Sequence, residues 1–159
     1  MKPITYILIT LFLSSLLISC DSNRVFEENK EIENDRWHKD DFVKFSVDIT
    51  DRSVPVNFYV SIRNSTDYNF SNLYLFVRTK WPDGTLLADT INCRLAENKG
   101  SWTGRGIGKY RQNMIMLSQH ATFPQKGIYE FEFEQAMRVE ELEGINSIGI
   151  RIEKSSPKK

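Results

Sequence analysis

An antiparallel β-sandwich, jelly-roll or immunoglobulin-like, with one short helix near the C-terminus, is the fold class the sequence predicts. Three observations carry it. Apolar and polar residues alternate with a period of two through most of the chain from Phe42 to Ile152, the pattern of strands with one face buried and one wet. Turn-forming clusters separate these runs at short intervals. A single segment, Gln135 to Glu143, has helical character, and Gly144 closes it.

The elements follow in order. Val43, Phe45, Val47 and Ile49 alternate with Lys44, Ser46 and Asp48, and Asp51 to Pro55 ends that strand. Val56, Phe58, Val60 and Ile62 make the next, closed by the turn cluster Asn64-Ser65-Thr66-Asp67. From Asn72 to Lys80, Leu73, Leu75 and Val77 share one face, with Tyr74, Phe76 and Arg78 on the other. Trp81-Pro82-Asp83-Gly84 then reads as a hairpin. Pro82 presets the first central residue, and Gly84 takes the positive φ of a type I turn with a bulge. Strands are expected at Thr85 to Cys93, Lys109 to Leu117, Gly127 to Phe133 and Ile145 to Ile152. The glycine-rich stretch Gly100 to Gly108 lies among them.

The expected organisation is a signal peptide over 1–19, a lipidated N-terminal tether over 20–41, a β-sandwich domain over 42–154 and a polar tail over 155–159. Val25-Phe26 is expected to add a short edge strand from the tether. A chain of 159 residues, 40% of them apolar, suffices for one domain with a real core. The 21 basic and 21 acidic residues balance, and no basic stripe is present, so nucleic acid is not an expected partner.

The N-terminus is the strongest signal. Lys2 is followed by an uncharged apolar run from Ile4 to Ile18. Spanning a bilayer takes roughly 20 residues, so the run reads as the core of a signal peptide. Leu17-Ile18-Ser19-Cys20 resembles a lipobox, with the small Ser19 before the cysteine that would carry lipid. Two acyl chains anchor a protein firmly, so Cys20 is expected to tether the mature chain to a membrane. The periplasmic face of the outer membrane is the favoured placement and the inner membrane the alternative; Asp21 is the inner-membrane retention signal in enterobacteria. With Cys20 lipidated, Cys93 has no partner and reads as a small buried core residue.

The search for chemistry gives little. His38 and His120 have no Cys or His neighbour at zinc spacing. Gly104-Arg105-Gly106-Ile107-Gly108-Lys109 lacks the spacing and the following helix of a phosphate loop; its glycines instead suit turns and close backbone approach. Asp40, Asp41, Asp48 and Asp51 do not follow a calcium loop. Glu130, Glu132 and Glu134 share a strand face, the one arrangement that offers paired carboxylates for hydrolysis. No metal, cofactor or catalytic residue is assigned. Aromatics on the polar faces or in loops, Tyr59, Tyr74, Phe76, Trp81 and Trp102, are more informative. Tyr74, Trp81 and Trp102 are the candidates for contact with a protein partner or a glycan; the alternative is that these rings are partly covered by the sandwich itself.

The ordered set of motifs resembles the gliding motility lipoprotein family GldH of Bacteroidota. The set comprises Ser19-Cys20, Ile62-Arg63-Asn64, Tyr68 through Phe76, Pro82-Asp83-Gly84, Asp89-Thr90-Ile91 and Gly100-Ser101-Trp102-Thr103-Gly104 with Gly106 and Gly108. It closes with Phe131, Gln135 through Arg138, Gly144-Ile145 and Gly149. The resemblance implies a non-catalytic envelope component of surface movement, partnered with other gliding and type IX secretion proteins. Asp89-Thr90-Ile91 also fits the short pattern at which that phylum attaches O-glycans, which marks Thr90 as a candidate glycan site. A membrane-tethered glycan-binding module is the alternative function.

Overall fold

The computed structural model describes residues 21–155. The expected signal peptide over 1–19, Cys20 and the last four residues of the expected tail lie outside them.

Ten strands form in chain order: β1 (Arg24–Glu31), β2 (Arg36–His38), β3 (Val43–Ile49), β4 (Val56–Ser65), β5 (Asn72–Lys80), β6 (Leu86–Arg94), β7 (Tyr110–Ala121), β8 (Gly127–Gln135), β9 (Glu141–Glu143) and β10 (Ile145–Lys154). Eight of them make two four-stranded sheets, ordered β1-β10-β4-β7 and β3-β8-β5-β6. Every pairing is antiparallel. Almost every connection passes from one sheet to the other, and β5–β6 is the hairpin that stays within one. That order is the jelly roll, so of the two sandwich forms the sequence left open, the structure adopts this one.

The alternation read from the sequence sets the inner faces. Val43, Phe45, Val47 and Ile49 point inward from β3, and Tyr129, Phe131 and Phe133 from β8. Val60 and Ile62 of β4 and Ile148, Ile150 and Ile152 of β10 face them, all fully buried. Phe58 and Phe131 meet across the sheets with ring centroids 5.0 Å apart. The expected hairpin is present: Gly84 N–H donates to Trp81 O at 2.9 Å, Trp81 N–H to Thr85 O at 2.8 Å, and Gly84 has φ +87°.

Two expectations are corrected. From Arg24 onward the segment expected as a tether belongs to the sandwich: the short edge strand expected at Val25-Phe26 is present but runs eight residues along β10 as β1, and Trp37 is fully buried. The indole Nε1 of Trp37 donates to Asp41 O at 2.7 Å, so its polar atom is satisfied in the core. The expected helix Gln135–Glu143 is absent. Gln135 ends β8, and Glu141–Glu143 is β9, paired with β2 as a two-stranded cap. Burial explains it: Leu142 is 1% exposed beside Trp37, a gain that outweighs local helix propensity. Among the described residues the helical element is the 3-10 turn Glu33–Asp35, with Asn34 and Asp35 at positive φ.

The β2–β9 cap defines one end of the sandwich, here the apex. Asp35 is fixed there by Tyr110 Oη at 2.8 Å, Asn146 Nδ2 at 2.9 Å and Lys109 Nζ at 3.2 Å. Burial pulls its carboxyl upward, but these three donors outweigh it and hold the carboxyl below the usual carboxylate range. The opposite end, the base, collects Asp21, the loop 51–55, the Trp81–Thr85 hairpin, the loop 122–126 and Ser155.

Candidate interaction surface

The outer face of the β3-β8-β5-β6 sheet gathers the exposed aromatics. Even-numbered residues of β5 point outward, so Tyr74, Phe76, Arg78 and Lys80 form one file. Cross-strand pairing sets their neighbours: Phe76 lies between Glu134 and Thr90, Arg78 between Glu132 and Ala88, and Lys80 between Glu130 and Leu86. Tyr74 is 41% exposed, Phe76 41%, and Phe42, just ahead of β3, 44%. The Arg78 guanidinium stands 5.6 Å from the Phe42 ring centroid and joins the aromatic and charged parts of the face.

The carboxylates of this face are engaged. Glu132 pairs with Lys44 and Arg78, both at 2.9 Å, Glu134 with Arg78 at 2.7 Å, and Glu130 with Lys80 at 3.1 Å. A general acid needs a carboxyl pushed upward. Hydrogen bonding from Lys44, aided by Arg78, instead holds Glu132 below its ordinary range. Cys93 is fully buried, and burial pushes its thiol up to about 12, so it stays protonated at neutral pH.

The three aromatic candidates do not converge. Tyr74 lies on the outer face. Trp81 sits at the base, half-buried, its ring 6.4 Å from that of Tyr129. Trp102 sits near the apex, 6.4 Å from Tyr68. Seven residues of strand separate Tyr74 from Trp81, about 23 Å at roughly 3.3 Å per residue. Phe42 is the surface residue that the reading of the residues passed over. Its even register with Lys44 was legible; its approach to Arg78 was not, because that depends on strand order. Thr90 is exposed on the outer face of edge strand β6, opposite Phe76. Tyr59, on the outer face of the other sheet, is half-buried between Arg151 and Met116.

The glycine-rich stretch is a strap near the apex, where edge strands β6 and β7 diverge. It bridges them through Ala96–Trp102 and Arg105–Gln112 pairings. It rests on a buried polar chain: Asn113 Nδ2 donates to Asn64 Oδ1 at 2.9 Å, Asn64 Nδ2 to Ser65 O at 2.9 Å, and Thr103 Oγ1 lies 3.0 Å from Asn113 Oδ1. A Cβ on Gly104 would lie 2.7 Å from Asn113 Nδ2, so glycine is required for the strap to close. The expectation of close backbone approach is met at Gly106, where a Cβ would lie 2.7 Å from Tyr110 O. Below the strap the gap stays open as an apolar cleft of about 270 Å³, lined by Phe58, Trp81, Leu87, Ala121, Phe123 and Phe131 among others.

Comparison with known proteins agrees with the motif order. The gliding motility lipoprotein GldH homolog of Christiangramia forsetii is 35% identical over 162 residues, covering 98% of this chain and 99% of that protein. Gliding motility lipoprotein GldH of Flavobacterium johnsoniae is 35% identical over 152 residues, covering 91% of this chain and 94% of that protein. Among solved structures, the enzymatically active domain of bacteriophage CBA120 tailspike protein 4 aligns at a TM-score of 0.30 and 13% identity, over 84% of this chain and 19% of that one. That likeness carries no argument. The family profile described as GldH lipoprotein matches residues 24–152, almost the whole sandwich, and the chain belongs to the GldH lipoprotein family.

Proposed function

We propose that the protein is a non-catalytic, lipid-anchored component of the gliding motility apparatus, and that it assembles or stabilises envelope proteins shared with type IX secretion. Lipid on Cys20 holds it in the envelope, at the periplasmic face of the outer membrane. The observation that carries the reading is the outer face of β3-β8-β5-β6. There Phe42, Tyr74 and Phe76 stand exposed beside a ladder of paired charges, an apolar centre with a polar rim suited to a protein partner. A glycan-binding module is the weaker reading, because Tyr74, Trp81 and Trp102 form no common ring platform. Thr90 is exposed and accessible to O-glycosylation, and an intact mass of the mature protein with a hexose-sized increment beyond lipid would establish that modification.

The test is deletion of the gene in its host, with complementation by wild type, Cys20→Ala and the double variant Tyr74→Glu/Phe76→Glu. Both rings of the double variant are exposed, so its stability should change little, by about 0.5 kcal/mol per site. Spreading is expected to stop on deletion, to return with wild type, and to fail with either variant. A deletion strain that spreads and secretes adhesins normally would overturn the reading.

A further inference from the structure

We infer that the base of the sandwich is a membrane-apposed surface, which seats the Trp81–Leu87 corner in the same bilayer interface that holds the anchor. The inference rests on lipidation at Cys20.

The first support is where the chain enters the fold. Asp21 is already fixed: its carboxylate pairs with the Arg151 guanidinium, which also holds Glu27 and Glu153. Asn23 O accepts from Lys154 N–H at 2.7 Å. Adjacent Cα atoms are only about 3.8 Å apart, so no linker separates a lipidated Cys20 from the folded domain. The acyl chains must leave from the base, and the base must lie at headgroup depth.

The second support is what the base exposes. Leu86 is 71% exposed, Ile128 57%, Leu87 50% and Val54 38%. All four belong to the base. Leu86 and Leu87 open β6 after the Trp81–Thr85 hairpin, Ile128 is next to the first residue of β8, and Val54 precedes β4. Pro82 packs against Gly127, so hairpin and strand form one surface. The apolar cleft below the strap opens at this same corner, lined by Trp81, Leu87 and Phe123. Water is a poor solvent for this surface, and an interface takes up apolar area together with amphipathic tryptophan.

The third support is charge. Lys126 and Lys154 both act on Asp51 at the base, yet neither is in an ion pair among the described residues. Of the acids nearby, Asp48 stands exposed opposite Ile128, and the others are engaged. Asp51 caps Ser53 N–H, Asp83 caps Thr85 N–H, each at 2.8 Å, and Asp21 holds Arg151. Lys126 and Lys154 therefore place two ammonium groups without a salt-bridge partner among the described residues at the end where lipid phosphates would lie. A protein partner at this end would have to share the space with the anchor itself, which favours the bilayer as occupant.

The natural tryptophans make the test direct. Trp81 marks the base, Trp102 lies near the apex, and Trp37 is buried in both comparisons. The lipidated mature protein would be reconstituted into vesicles of phosphatidylethanolamine and phosphatidylglycerol containing brominated phosphatidylcholine, as Trp102→Phe and as Trp81→Phe. Bromine quenching is expected to be at least about twofold stronger in Trp102→Phe, which keeps Trp81, than in Trp81→Phe. Leu86→Glu/Leu87→Glu, both at exposed positions, should reduce the Trp81 quenching while the protein still floats with the vesicles. Flotation with no quenching of Trp81, or with equal quenching of both tryptophans, would overturn the inference and leave the anchor intact. Failure of the wild-type protein to float would overturn the Cys20 reading, and the inference with it.

Discussion

Trp37→Ala is expected to cost about 3–5 kcal/mol, the range for removing a large buried aromatic. A domain of this size has about 5–15 kcal/mol in total, so in the least stable case the variant keeps only about 0–2 kcal/mol and up to about half of it is unfolded at 25 °C. The argument is geometric. Trp37 is fully buried in the β2–β9 cap, opposite Leu142, and its indole N–H is bonded to Asp41 O. Truncation leaves a cavity at the apex and an unpaired carbonyl. Urea denaturation of the mature chain measures the effect as a lower midpoint with little change in slope. The same experiment discriminates between two pictures of the N-terminal segment. A residue in a solvated tether would change stability by no more than about 0.5 kcal/mol.

Gly104→Ala is expected to cost about 1–3 kcal/mol, the penalty for breaking a buried polar network. The new methyl group would meet the Asn113 carboxamide at 2.7–2.9 Å, with its nitrogen, carbon and oxygen all in range. Either the strap lifts or Asn113 swings away from Asn64, which is completely buried. Hydrogen exchange should report the strap directly. The amides of Thr103 and Arg105, bonded to Leu95 O and Gln112 O, should lose protection first. Asn113→Ala removes the colliding group, so Gly104→Ala should cost less in that background, and the double variant should cost less than the sum of the two single variants in a double-mutant cycle. Gly100→Ala provides the contrast. Gly100 has φ +84° but open space around it, so its penalty is conformational, roughly 1–2 kcal/mol, and does not depend on Asn113.

The sequence by itself determined which residues of the alternating strands face the core. Strict alternation in β3, β5 and β8 is a local property, because successive side chains of a strand point to opposite faces whatever the partner. The Pro82-Asp83-Gly84 hairpin was legible for the same reason: its geometry is set by Pro and Gly backbone preferences alone. The outward positions of Tyr74 and Phe76 followed from register. What only the tertiary structure decided were relations between distant segments. At β1 only Val25-Phe26 was legible as an edge strand; Glu27, Glu28, Lys30 and Glu31 carry no local strand pattern, and β10 extends the strand through them by offering backbone partners and Arg151. Gln135 to Glu143 has helix-forming composition, and burial of Leu142 against Trp37 overrides it. Trp81 and Trp102 could not be assigned to opposite ends until strand order was known. The jelly-roll order likewise rests on long-range pairing, since its strands mostly change sheet at each connection and a chain read residue by residue carries no record of which distant strand lies alongside.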